Sequence, residues 1–457
     1  MKRLARILAA WTMLHAAAAG GMEPNLSQYL EKAGGKYILR VPPDTVWFPF
    51  VDPGSGDLRL SMFNLAISAK KRLSVFERVW ETIRREYYDP LLRNTDWEGI
   101  REAYRPLILT AGNKVDLAKV LDQMIHEIHG SHLQVKVYLL PKDRNAEKII
   151  ERKWQEERER YRSGIGFNLK RIENQWVVGS VDPGSDADRK GVLRGWIVRY
   201  VQDRFFDPKT LRLESIKPGD VFPFSFIDLE GRPRNVRVAA MLYPEPAEPP
   251  AGGVKILRGG FVCIVVREFR RKMDRWFIKT VQAYADAPGM VLDLRGNTGG
   301  YMPIVTRCLA PFFEGATAAG TELSRKRKPR ILVSEGMGGR AYRGPLAILI
   351  DEDSISGAEI FAAVMQENGR AKIVGRHSAG EVLGSVTLEM PEWYTLRLPI
   401  YEYRTAEGRI LEGQGVKPDA EVALTLGGFR RHYDADMERA LALIEAIRAG
   451  VCERNPH

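Results

Sequence analysis

The stretch GPLAILIDEDSISGAEIFAAVMQEN, from Gly344 to Asn368, decides how the C-terminal half of this chain folds. Pro345-Leu346-Ala347-Ile348-Leu349-Ile350 is a continuous apolar run of the kind that forms a strand buried on both faces, and Asp351-Glu352-Asp353 ends it. After Ser356-Gly357, the apolar residues Ile360, Phe361, Val364 and Met365 recur at helical spacing. Ser356 therefore stands where a buried strand turns sharply into a helix, beside unpaired backbone N–H groups and the positive end of the helix dipole. That geometry suits a nucleophile whose acyl intermediate carries an oxyanion, although a serine that merely caps the helix would occupy the same place.

Outward from this strand the pattern alternates. Residues 261–266, 290–294, 346–350 and 371–374 read as strands, and residues 271–284, 301–313 and 358–367 as helices. That rhythm predicts an α/β core with crossovers onto a largely parallel sheet. Asp293-Leu294-Arg295-Gly296-Asn297-Thr298-Gly299-Gly300 joins the second strand to the second helix. Its glycines let the backbone pass close to another group with N–H exposed, which serves an oxyanion site as well as a tight turn. It lacks the GKS/T ending of a phosphate loop.

Residues 73–132 are helical in pattern. Val75, Phe76, Val79, Trp80 and Ile83 make one amphipathic face, Asp96-Trp97 opens a second helix, and Leu117, Val120, Leu121, Met124 and Ile128 line a third. His129-Gly130-Ser131-His132 ends the third helix before a strand over 133–137, so His132 lies at the mouth of that strand. A charged helix is predicted over 145–162. Short glycine-punctuated strands then follow to about residue 242, which predicts a small, mostly β domain. This region resembles a PDZ domain, with Gly164-Ile165-Gly166-Phe167 in the place of the loop that offers successive N–H groups to a peptide carboxylate. Trp196, where an acidic residue often stands in that pattern, and the insertion over 208–219 are departures from it. The proline-rich run at 244–253 reads as a linker.

At 457 residues, 44% hydrophobic and 28% charged, the chain is an ordinary globular composition spread over two or three domains. Lys2, Arg3 and Arg6 precede an apolar stretch and small residues at 16–19, the pattern of a secretory signal or an uncleaved anchor. The net charge of +11 falls to +8 without those three residues and is dispersed, which argues against nucleic acid as a partner. Only Ser324-Arg325-Lys326-Arg327-Lys328-Pro329-Arg330 is densely basic, and it reads as a solvated loop. Cys263 and Cys308 lie in apolar patterns and read as buried thiols, with Cys452 the third cysteine.

The helix-end Gly-Ser-His, the strand ending in Asp-Leu-Arg-Gly-Asn-Thr-Gly-Gly and the strand followed by Ser-Ile-Ser-Gly-Ala-Glu-Ile-Phe, in that order, resemble the carboxyl-terminal processing (tail-specific) serine peptidases and the related core of tricorn protease. The resemblance implies an α/β fold: a crotonase/ClpP-like protease core, an N-terminal helical domain and an inserted PDZ-like β domain. The implied divisions are a signal at 1–21, a helical domain at 22–150 carrying the catalytic His, a connecting helix and PDZ-like domain at 151–246, and a peptidase core at 254–450. It implies hydrolysis of protein or peptide substrates, some through a free C-terminus, without metal or other cofactor. It also implies an exported, periplasmic or secreted protein whose membrane contact is confined to the N-terminal segment; oligomeric state stays open.

Within the resemblance Ser356 is the nucleophile. The tail-specific branch pairs its serine with a lysine 25 residues downstream, and Glu381 stands at that place here. A carboxylate cannot stand in for a desolvated amine, so the chain is either inactive, a binding protein on the same fold, or a member of the branch that uses histidine. Gly130-Ser131-His132 and Leu411-Glu412-Gly413 resemble the histidine and glutamate segments of the tricorn-type core. The implied triad is Ser356, His132 and Glu412, with Glu412 holding the imidazole directly or through Ser131. Gly357 N–H and the N–H of Gly299, in preference to Gly300, would stabilise the oxyanion, an effect worth about 3–4 kcal/mol per donor.

Overall fold

The computed structural model describes residues 30–33, 36–39, 45–51, 58–64, 66–137, 162–201, 204–205, 220–243 and 252–450. The signal predicted at 1–21, residues 145–161 of the predicted charged helix, the insertion at 208–219, positions 244–251 of the proline-rich run and Cys452 lie outside the described residues. The chain divides into two compact units, Met1–Glu157 with Ser385–Leu398, and Arg158–Gly384 with Pro399–His457.

The first unit contains two antiparallel hairpins, β1 (Leu30–Ala33) with β2 (Lys36–Leu39) and β3 (Thr45–Val51) with β4 (Leu58–Asn64). Three helices follow: α1 (Ala69–Glu86), α2 (Trp97–Thr110) and α3 (Lys114–His126). Each starts at a side-chain cap: Ser68 accepts the Lys71 N–H, Asp96 the Gly99 N–H, and Asn113 the N–H groups of Val115 and Asp116. α1 buries Val75, Phe76, Val79, Trp80 and Ile83, the predicted stripe. Its Trp80 stacks on Trp97, and each indole N–H donates to the other residue's carbonyl, at 3.0 and 3.2 Å. That reciprocal pair satisfies both polar tips while the rings stay buried. α3 buries Leu117, Leu121 and Met124 but leaves Val120 half-buried, and it ends at His126, so the buried Ile128 lies just past the helix. Strand β5 (Gln134–Val137) pairs antiparallel with Tyr394–Arg397 of the returning segment, and the Tyr394 hydroxyl donates to the Lys114 carbonyl at 2.7 Å. His132 is thereby held between the end of α3 and the start of β5.

In the second unit, β6 (Arg162–Gly164), β7 (Phe167–Ile172), β8 (Gln175–Val181), the short helix α4 (Asp186–Arg189), β9 (Ile197–Val201), β10 (Arg204–Phe205), β11 (Val221–Ile227), β12 (Pro233–Ala239) and β13 (Met241–Tyr243) form the small β region. Its main sheet has the order β12-β11-β9-β8-β7 with β10 on β9, around Phe167, Trp196, Phe224 and Phe226. The core sheet is built from β14 (Gly252–Ile256), β15 (Val262–Val266), β16 (Met290–Asp293), β17 (Leu346–Ile350), β18 (Lys372–Gly375) and β19 (Ala420–Glu421), in that spatial order, and is parallel from β15 onward. Gly252 and Gly253, read as the end of a linker, instead open β14. A Cβ on Gly252 would lie 2.3 Å from the Trp276 ring, so the glycine makes room for the indole.

Both faces of the middle of this sheet are covered, which is why β15 (VCIVV) and β17 (LAILI) are apolar and buried at every position. Ile264, Leu292 and Ile348 point to one side, against α5 (Met273–Ala283), α6 (Met302–Leu309) and α7 (Gly357–Glu367). Cys263, Val291, Ala347 and Leu349 point to the other, against Ala440, Leu441 and Ile444 of the C-terminal helix Ala435–Arg448. Burial holds the thiols of Cys263 and Cys308 well above their ordinary range. The basic run 324–330 is the exposed turn of an antiparallel hairpin, Thr317–Leu323 with Arg330–Ser334.

Candidate active site

Strand β17 is wholly buried and stops at Asp351. In the turn that follows, the fully buried Ser354 hydroxyl donates to the Leu294 carbonyl at 2.8 Å and accepts the Asp351 N–H at 3.0 Å. Ser356, half-buried, has φ 57° and ψ −113°. A serine gains nothing sterically from that left-handed backbone, so the turn is held by its surroundings. The Ser356 N–H donates to the Glu359 carboxylate at 2.8 Å, one arm of a capping box on α7. The result is a strained strand-to-helix elbow that lifts a serine to the start of a helix.

The Asp293–Gly300 turn lies directly against this elbow. A Cβ on Gly299 (φ 88°) would come within 2.7 Å of the Ser356 Cβ and 2.8 Å of the Gly357 N, and one on Gly300 (φ 141°) within 2.4 Å of the Phe269 carbonyl oxygen. No side chain fits at either position. The Gly299 N–H is taken: it donates to the Asn297 side-chain oxygen at 2.8 Å, while the Asn297 amide donates to the Val266 carbonyl at 2.9 Å. Among the described residues no acceptor is assigned to the N–H of Gly300 or Gly357, and an ideal Cβ on Gly357 would lie 3.4 Å from the Gly300 N. The geometry therefore prefers Gly300 to Gly299 as the partner of Gly357, because the Asn297 side chain has claimed the other donor.

Glu359 is fully buried and its carboxylate accepts four hydrogen bonds: the Ser356 N–H, the Ser378 hydroxyl at 2.6 Å, the Gly380 N–H at 2.6 Å and the Glu381 N–H at 2.9 Å. Burial holds its pKa above the ordinary carboxylate value, and these four donors offset only part of that rise. Ser378 in turn accepts the Val416 N–H at 2.6 Å, and the Gly413 N–H donates to the Gly380 carbonyl at 2.7 Å. Glu359 thus fastens the serine elbow to residues 378–381 and, through them, to the turn that bears Glu412. Glu412 itself accepts the Val382 N–H at 3.0 Å. Glu381, where the resemblance implies a lysine, is exposed and contributes its backbone to this network. Glu359, Ser378 and Asn297 were not singled out from the sequence; the Ser-x-x-Glu spacing of a capping box was the available signal for Glu359.

In the first unit, His132 has φ 61°, again left-handed, and its Nδ1 lies 2.9 Å from the Ser131 hydroxyl. Burial, and secondarily the Arg397 cation, pull its pKa down to about 4, so the ring is neutral at pH 7. Ser356 and Glu412 belong to the second unit, His132 and Ser131 to the first.

At the predicted carboxylate loop, Ile165 and Phe167 are buried and Gly166 has φ 81°, where a Cβ would strike Ser185 at 2.1 Å. Its carbonyl accepts the Asp182 N–H at 2.8 Å. Gly164 ends β6, which pairs with β13. Among the described residues no group of three or more His, Cys, Asp or Glu is placed to hold a metal ion, and no helix is long and apolar enough to cross a membrane.

Residues 261–422 match the profile of peptidase family S41, and residues 68–126 that of the tricorn protease C1 domain. The chain is 24% identical over 426 residues to a tricorn protease homolog of Streptomyces coelicolor, covering 88% of this chain and 34% of that protein. It is 24% identical over 275 residues to a CtpA-like serine protease of Staphylococcus aureus, covering 57% of this chain and 52% of that one. It thus spans about a third to a half of the length of these curated relatives. Among solved structures, mature CPAF complexed with lactacystin superposes with a TM-score of 0.63 at 12% identity, over 84% of this chain and 99% of that one. The photosystem II D1 C-terminal processing protease gives 0.53 at 15%, over 81% and 99%. The fold is the α/β protease fold of these proteins, with helices and sheets before it.

Proposed function

We propose that this chain, whose residues 261–422 match the profile of peptidase family S41, is a serine endopeptidase that hydrolyses protein or peptide substrates through an acyl-enzyme on Ser356. The observation that carries the reading is the strained Ser356 elbow, set against glycines that leave the N–H groups of Gly300 and Gly357 unclaimed.

In this mechanism the Ser356 hydroxyl attacks the scissile carbonyl while His132 takes its proton. The oxyanion that forms accepts from Gly357 and Gly300. Collapse of the tetrahedral intermediate expels the amine, which leaves with the proton from His132; water then attacks the acyl-enzyme by the same route in reverse. A neutral His132 is in the correct form to accept a proton at pH 7. Glu412, directly or through Ser131, would hold the ring and offset the charge of the imidazolium, which burial otherwise penalises.

The β region at 162–243 is assigned the role of a PDZ-like module. Its Gly166 turn and the edge position of β7 support docking of a peptide end as an added strand. The core sheet between α5–α7 and the C-terminal helix is assigned to the crotonase/ClpP-like architecture, and the basic-apolar N-terminus to export. Digestion of dephosphorylated β-casein tests the function: the wild type cleaves it and Ser356→Ala does not. Equal cleavage by both would overturn the assignment.

A further inference from the structure

Beside the serine elbow lies a cationic surface that neither the catalytic reading nor the fold requires. The segment following β15 is stitched to the glycine turn: the Phe269 N–H donates to the Gly299 carbonyl at 2.7 Å, and the Tyr301 N–H to the Phe269 carbonyl at 2.9 Å. Arg270, Arg271 and Lys272 come next in the chain, all exposed. Tyr301, the residue after Gly300, is 50% exposed, unusual for a large aromatic ring at the edge of a buried core. The Arg271 guanidinium carbon sits 5.2 Å from the centre of the Tyr301 ring. That stacking holds the planar fork in one orientation and leaves its N–H donors free for a carboxylate.

The charges here are not balanced. Arg270 faces Glu268 at 3.8 Å and Arg307 is bonded to Asp274 at 2.6 Å, but no carboxylate among the described residues is matched to Arg271 or Lys272. Lys272 also has φ 71°, a left-handed backbone that favours glycine or asparagine, so a long cationic side chain is displayed from a position that disfavours it. A solvated surface needs neither the stacked ring nor the strained lysine.

We propose that Arg271 and Lys272, on the platform of Tyr301, form a carboxylate-binding subsite next to Gly299–Gly300, which selects substrates with an acidic side chain close to the scissile bond. This deepens the peptidase reading and rests on it. An exposed, charge-assisted contact of this kind favours an acidic residue about three- to tenfold over a neutral one.

The test maps cleavage sites by mass spectrometry after digesting dephosphorylated β-casein with the full chain, its Ser356→Ala control and the charge-reversed variant Arg271→Glu, Lys272→Glu. The wild type is expected to show Asp or Glu enriched about three- to tenfold at one fixed position within about two residues of the cut, an enrichment that weakens in 0.5 M salt. In the charge-reversed variant the preference turns to Lys and Arg. The neutral pair Arg271→Gln, Lys272→Gln, with an unchanged melting temperature, guards against misfolding and is expected to flatten the preference. Ser356-dependent cleavage that is indifferent to acidic residues, or a preference that survives reversal, overturns the subsite and leaves the peptidase standing. Absence of any Ser356-dependent cleavage overturns the peptidase reading and the subsite with it.

Discussion

Replacing Glu359 removes an acceptor from four donors at once: two backbone N–H groups and a hydroxyl in the 378–381 turn, and the N–H of Ser356. Each such bond to a carboxylate is worth about 1.5–3 kcal/mol, but water can enter the space left by Glu359→Ala and re-satisfy part of the set. The net loss is therefore well below the sum, about 3–5 kcal/mol, at the top of the range for single substitutions. Glu359→Gln keeps the volume and one acceptor oxygen but turns an NH₂ toward two of the donors, at a cost of about 2–3 kcal/mol. For a domain of this size each kcal/mol moves the melting temperature by about 2 °C, so the alanine variant is expected to melt about 6–10 °C early. Scanning calorimetry reads this directly, with Glu381→Ala, an exposed side chain, as the control that stays within about 1 °C. Activity is expected to fall with stability, because the same carboxylate holds the serine elbow. A Glu359→Gln protein as stable and as active as wild type would refute the four-donor reading.

Further outcomes follow from other parts of the molecule. Gly299→Ala forces a side chain onto the Ser356 Cβ from a left-handed backbone; a loss of about 3 kcal/mol is expected by denaturant titration, with loss of serine-probe labelling. His132 titrates near 4 in the folded chain and near 6.5 unfolded, so the unfolded state binds more protons between those values and stability falls as pH drops through that window. Arg397→Met removes the secondary cause of that depression and is expected to move the acid limb of the kcat/KM profile to higher pH. Phe429, from the short helix Leu426–Arg430, packs against Ile172, Val177 and Ile197 of the β region; Phe429→Ala is expected to cost about 3–4 kcal/mol, seen as faster limited proteolysis within 162–243. Cys263 and Cys308 are expected to react with a thiol reagent only after denaturation, since both are buried and their thiols are held above the ordinary range.

The parts of the fold that sequence reading recovered are those where burial leaves a periodic mark. Strands β15 and β17 are covered on both faces and appear as unbroken apolar runs, and α1 carries its core stripe at helical spacing. The Thr317–Leu323 and Arg330–Ser334 hairpin was missed because its small and polar residues alternate weakly and its turn is a block of charge. Gly252-Gly253 reads as linker when the chain is taken alone; only the Trp276 ring lying over it explains a glycine pair inside a strand. Glu359 is a charged residue in an apolar helix, which pattern reading assigns to the surface, whereas three donors from a distant loop and the Ser356 N–H satisfy it in the interior. The choice between Gly299 and Gly300 depends on where the Asn297 side chain bonds, and no spacing rule carries that. The strained backbones of Ser356 and His132 are likewise products of tertiary packing and leave no compositional trace.

Catalysis by this chain requires a Ser356 hydroxyl made nucleophilic by His132. Intact-mass analysis after treatment with a serine-reactive phosphonate reads that activation. Wild type is expected to gain one adduct, mapped to Ser356, while Ser356→Ala gains none and His132→Ala labels at least a hundredfold more slowly, as loss of a general base requires. Equal labelling of all three proteins, or an adduct on another residue, would contradict it.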